Sequence, residues 1–94
     1  MTNYSKGANL ERKAKAALES AGYSCVRSAG SHGGADVVAW NQTRVRLIQV
    51  KNRPLAPAEL RRASDELLAM KCPRNGSREI WQRHHKVWLI HVVL

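Results

Sequence analysis

Residues 44 to 51, RVRLIQVK, constrain this chain more than any other stretch. Successive side chains of a strand point to opposite faces of its sheet. One face here carries Val45, Leu47, Gln49 and Lys51; the other carries Arg46, Ile48 and Val50. Both faces hold apolar residues, so this strand is expected at the centre of a sheet. The polar pair, Gln49 and Lys51, then needs an explanation, because an amide and an ammonium on a partly apolar face are costly to bury without partners.

The flanking sequence supplies the rest of a sandwich. Residues 6 to 21 read as an amphipathic helix, with Leu10, Ala14, Ala17, Leu18 and Ala21 recurring at helical spacing. Ser5 or Asn9 is placed to cap its start, and Gly22 to end it. Residues 23 to 28 alternate as a strand, 29 to 34 (AGSHGG) form a loop, and 35 to 40 form a second strand. A tight NQT connection leads into the central strand. NRPLAP breaks the pattern, and Pro57 suits the first position of a helix. Residues 58 to 71 form that helix, with Leu60, Ala63, Leu67 and Met70 on one face. CPRNGS is a turn, 78 to 85 are undecided between element types, and 86 to 93 form a last strand. The order α-β-β-β-α-β gives an α/β sandwich with a mixed sheet, one domain spanning residues 1–94. A domain this small buries only about 60–65% of its unfolded surface, so a partner subunit would help. The apolar end VWLIHVVL, residues 87 to 94, hints at one.

Charge narrows the function. There are 16 Lys and Arg against 7 Asp and Glu, a formal net charge of +9. Such a chain is expected to bind a polyanion, since each cation near a phosphate releases a condensed counterion. A ribosomal or purely architectural protein would share this charge, so charge alone does not select an enzyme. No apolar run approaches the ~18 residues of a membrane span, and no stretch reads as an export signal. Cys25 and Cys72 are therefore expected as free thiols in a reducing, cytoplasmic setting, either nucleoid-associated or in a host cell if the source is viral. Their spacing fits no zinc motif. His84 and His85 are adjacent and expected to point apart; together with His32 and His91 they form no ligand spacing. Trp40, Trp81 and Trp88 are expected in the core or at a subunit contact rather than stacked on bases. Arg61 and Arg62 begin the second helix on a solvated face, with a DNA-facing strip as the alternative.

One set of residues suggests chemistry. Asp36 heads the strand before the central one, across a short hairpin from Gln49 and Lys51. Each has a plain reading by itself: an acid after a glycine turn, a strand end in solvent. Together they place a carboxylate, a carbonyl oxygen and a lysine at one end of adjacent strands. A hard divalent cation wants oxygen ligands, which Asp36 and Gln49 supply. Such a cation acidifies water and offsets charge on a phosphate under attack. Lys51 is suited to orient that water or to stabilise the developing oxyanion. Glu11 lies beside the apolar stripe of the first helix and can reach the sheet edge; the alternative is a solvated acid paired with Lys15.

KGANLER, VRSAGSHGGAD and IQVK, in that order, resemble the first three motifs of the archaeal-type Holliday junction resolvases, members of the PD-(D/E)XK nuclease superfamily. The resemblance covers about residues 4 to 52. It implies a restriction-endonuclease-like fold and Mg²⁺-dependent cleavage of four-way DNA junctions by a homodimer, with Mn²⁺ as a substitute. It carries Glu11, Asp36 and Lys51 over as catalytic residues, with Gln49 beside them; Glu11, Asp36 and Gln49 would face the metal. Ser28 and Ser31 match serines of the family's catalytic loop, and Arg12 and Arg27 match cations used on phosphates. Lys6, His32 and Arg53 complete the expected DNA-contacting set with Arg12, Arg27 and Ser28.

Two departures stand out. Gln49 occupies a place where the family usually has Glu, which leaves two formal acids, and the segment after the second helix is short. Two further readings therefore stay open. One is a related PD-(D/E)XK nuclease acting on duplex, nicked or flapped DNA. The other is a non-catalytic DNA-binding module of the same fold.

Overall fold

A computed structural model describes residues 3–28 and 34–94, with side chains from residue 7 onward. The elements are α1 (Asn3–Ser20), β1 (Ser24–Arg27), β2 (Val37–Trp40), β3 (Val45–Lys51), α2 (Pro57–Leu68), β4 (Gly76–His84) and β5 (Val87–Val93). The expected α-β-β-β-α-β core is present. The undecided stretch is β4, and the expected last strand is β5.

Among the described residues the strands form one sheet in the order β1-β2-β3-β4-β5. The central position expected for residues 44 to 51 is observed. β3 pairs antiparallel with β2, placing Val37 against Ile48, and parallel with β4, placing Lys51 against Gln82. The remaining pairs, β1–β2 and β4–β5, are antiparallel.

The two faces of β3 feed two cores. On one face Ile48 packs with Ala14 and Leu18 of α1 and with Val37, Ala39 and Trp81. On the other, Leu47 packs with Ala63 and Leu67 of α2 and with Ala35, Ile80 and Val93. The helices thus cover opposite faces, which is why β3 reads apolar on both sides.

Helix boundaries differ from the sequence pattern for identifiable reasons. α1 begins at Asn3, so Ser5 and Asn9 both lie inside it rather than at its start. Its buried stripe runs through Ala8, Ala14 and Leu18, while Ala17 and Ala21 face solvent. Gly22 closes the helix as expected: its φ of 92° is a left-handed value, and Tyr23 N donates to Leu18 O across it. Pro57 takes the first turn of α2. The helix stops at Leu68, short of the expected 71, where the Arg78 guanidinium of β4 donates to the carbonyls of Leu67 and Met70. A cation at a helix C-terminus satisfies carbonyls left without helical partners.

The expectation that His84 and His85 point apart fails. The β4–β5 turn puts His85 and Lys86 at φ of 48° and 64°, and this left-handed bend brings the two imidazole centroids to 4.0 Å. Trp81 is buried and meets Trp88 at 5.4 Å, while Trp40 is exposed.

Candidate active site

The site lies where β2 begins and β3 ends. Antiparallel pairing of Val37 with Ile48 carries Asp36 to the level of Gln49. Two hydrogen bonds fix Asp36 there: its N–H donates to Ile48 O at 2.8 Å, and its Oδ2 accepts from Val50 N–H at 2.8 Å. The sheet backbone thus extends past the last paired residue of β2 and grips the carboxylate. Ser28 is held alongside, donating its N–H to Asp36 O at 2.8 Å.

Burial pushes the Asp36 carboxyl above the ordinary aspartate range. The Val50 N–H and the Lys51 ammonium pull against that shift, while Glu11 and Glu66 reinforce it. Asp36 thus has two acids and one lysine within electrostatic reach.

Gln49 is 5% exposed. Its Nε2 donates twice at 2.9 Å, to Gly34 O and to Glu66 Oε2. Its Oε1 is buried with no hydrogen-bond partner. Buried polar atoms are nearly always paired, so such an atom calls for a missing partner. The Lys51 ammonium donates no hydrogen bond to the described residues. Its side chain lines a cavity of about 190 Å³ together with Leu55, Glu59, Arg62, Ala63 and Glu66.

Glu11 reaches the same end of the sheet from α1. It accepts from Arg27 Nε and Nη2 at 3.3 and 3.2 Å, and the expected alternative pairing with Lys15 is not made. The fold therefore brings Asp36, Gln49 and Lys51 to one end of the sheet, with Ser28 bonded to Asp36 and Glu11, paired with Arg27, reaching that end from the α1 face. The other predicted contacts sit further out. Arg12 is exposed and donates to Asn9 Oδ1 at 3.2 Å. Arg53 is exposed and paired with Glu59 at the start of α2. Ser31 and His32 lie outside the described residues, as does the side chain of Lys6, whose backbone belongs to α1.

Two residues escaped the sequence reading. Glu66 sits on α2 next to Asp65 and looks like one more solvated acid. Gly34 looks like a loop glycine. A Cβ on Gly34 would stand 2.8 Å from the Glu66 carbonyl oxygen and 3.0 Å from Leu67 N, so only glycine lets α2 approach here. A glycine two residues before a candidate acid was the one available signal.

Among the described residues no three His, Cys, Asp or Glu side chains gather into a metal cage. The donors present nonetheless fit a small hard cation, which keeps several waters and binds through one or two carboxylates. Asp36 and the unpaired Gln49 oxygen are such donors.

Comparison with known proteins agrees with this fold. No curated protein matches the chain. The solved structure of Hjc, a Holliday junction resolvase from the archaeal hyperthermophile Archaeoglobus fulgidus, shares its fold with a TM-score of 0.74 at 23% identity, over 94% of this chain and 73% of that one. The family model described as archaeal Holliday junction resolvase (Hjc) matches residues 2–91. A match over nearly the whole chain, on a fold that gathers the motif residues at one end of the sheet, places this protein in the archaeal Holliday junction resolvase family, nucleases selective for four-way DNA junctions.

Proposed function

We propose that the chain cuts four-way junctions as a homodimer, with a divalent cation of the Mg²⁺ type held by Asp36 and Gln49 at the end of β3. The observation that carries this reading is the buried, unpaired Gln49 Oε1 at the level of the Asp36 carboxylate. A bound cation would supply Lewis acidity, acidifying water and offsetting charge on the scissile phosphate. Lys51, whose ammonium makes no hydrogen bond among the described residues, orients the attacking water and steadies the developing oxyanion. Glu11 adds negative charge from α1, while Arg27 holds it in place and presents its own guanidinium toward phosphate. In this reading Lys6, Arg12, Ser28, His32 and Arg53 are the residues that contact the DNA backbone, and Ser31 belongs to the catalytic loop. The formal charge of +9 supplies most of the binding.

A second copy suits β5. This edge strand leaves Val87, Leu89, Ile90 and Val92 exposed. A long apolar edge is normally covered. A junction offers two equivalent strands for cutting, so a two-fold dimer would present one site to each. No described helix is long and apolar enough to cross a membrane.

The test is cleavage of a labelled four-way junction beside linear duplex of the same sequence, with Mg²⁺, with Mn²⁺ and with EDTA, alongside sedimentation of the protein. Paired symmetric cuts in the junction alone, lost in EDTA, from a dimer are expected. Cutting of both substrates would indicate a broader nuclease. Tight binding with no cutting in either metal would indicate a non-catalytic module.

A further inference from the structure

Gln49 leaves the site one acid short if only β3 is considered. The chain supplies another from a different element. Glu66 stands on α2, on the cavity that Lys51 also lines. Its Oε2 accepts from Gln49 Nε2 at 2.9 Å. The same amide nitrogen donates to Gly34 O at 2.9 Å. With both amide hydrogens occupied, the amide cannot flip without losing two bonds. Its oxygen is thereby fixed on the opposite side, where it has no partner. Gly34 makes the arrangement possible, because a side chain there would collide with the backbone of Glu66 and Leu67.

The structure assigns Glu66 as the third acid of the site, a positioning residue that orients the Gln49 carbonyl toward a divalent cation and restores the negative charge that an amide at 49 lacks. This rests on the metal-dependent reading above. In effect the carboxylate usually found at position 49 is divided in two. Gln49 keeps the oxygen ligand, and Glu66 carries the charge one layer behind it. Partners that orient a metal ligand are typically worth about 10–100-fold in metal affinity.

The experiment is calorimetric titration of the full chain with Mn²⁺ alone, without DNA, together with apo melting curves. The variants are Glu66→Gln, Gln49→Glu and the two combined. Glu66→Gln keeps an acceptor for Gln49 but removes the charge; it is expected to weaken Mn²⁺ binding about tenfold or more with little change in apo melting. The combined variant moves the acid back to position 49 and is expected to bind Mn²⁺ within about threefold of the wild type, the swap cancelling as coupled neighbours do. Wild-type binding by Glu66→Gln overturns the inference alone. A combined variant no better than Glu66→Gln also overturns it, because charge would then not be shared between the two positions. Wild-type protein that takes up no Mn²⁺ overturns the metal reading itself, and this inference with it.

Discussion

The β3–β4 pair carries one polar cluster on each face, and the two are finished differently. On the α1 side Glu79 is 1% exposed, yet every demand of its carboxylate is met. Arg46 donates to both oxygens at 2.9 and 2.6 Å, Ser77 at 2.6 Å and Trp81 Nε1 at 2.9 Å. Arg46 is itself sandwiched near the rings of Tyr23 and Trp81, at 5.1 and 5.5 Å. On the α2 side Gln49 is as deeply placed but keeps a bare oxygen, and Asp36 beside it is pushed toward its neutral form by burial. A saturated cluster holds a sheet together. An unsaturated one at the same depth has an acceptor left to give, which the proposed cation would take up.

Breaking each cluster should therefore break a different property. Asp36→Asn keeps the bond from Val50 N–H and removes only the charge. Junction cutting is expected to fall about 10²–10⁴-fold, the range for a group acting at the reacting atoms. Junction affinity should stay near that of the wild type and apo melting should not drop. Gel-shift, cleavage and melting assays on one preparation check all three; loss of junction binding by a folded variant would sink this division of labour.

Glu79→Ala is the mirror experiment. It strands Arg46 without its partner, and breaking a buried pair this way costs about 3–5 kcal/mol. Urea unfolding should register that loss, with cutting per folded molecule unchanged. A stable variant with a slowed cleavage step would instead move Glu79 into the chemistry.

A subtler contrast lies in pH. Burial opposes the charge of Glu79, but the bonds from Arg46, Ser77 and Trp81 prevail and hold its carboxyl below the ordinary glutamate range. Its stabilisation is complete above that range and is lost as pH falls through the lowered value. Asp36 behaves oppositely. Its raised pKa means that the folded chain holds the proton longer than the unfolded one. Ionising it therefore weakens the fold as pH rises through the raised value. In EDTA, melting temperature plotted against pH for wild type, Glu79→Gln and Asp36→Asn should give difference curves of opposite slope. Parallel curves would show that the two faces are not electrostatically distinct.

The contrast also explains what could be read in advance. The central strand, the glycine closing α1, the Asp36–Gln49–Lys51 grouping and the motif order are local patterns, and all are visible in one pass along the chain. β4 was hidden because Glu79 interrupts an apolar face, and the arginine that excuses it is on β3, 33 residues away. The end of α2 depended on Arg78, which no helix-local signal reveals. Glu66 was hidden for the same reason: an exposed acid on a helix is ordinary until the backbone of Gly34 is seen lying against it. Fold class follows from periodicity, whereas completion of the site follows from contacts between segments far apart in sequence.

The parallel pairing of β3 with β4 has a kinetic corollary. Parallel neighbours cannot be joined by a hairpin, so the chain must leave β3, form α2 and return before β4 can dock. Closing such a loop is slower than zipping β1–β2–β3, whose connections are short. Yet α2 is also the element that brings Glu66 to Gln49. The step that finishes the sheet is thus the step that joins Glu66 to Gln49, and on the proposed role of Glu66 a partly folded chain that has formed only its first hairpins would hold Asp36, Gln49 and Lys51 without that acid.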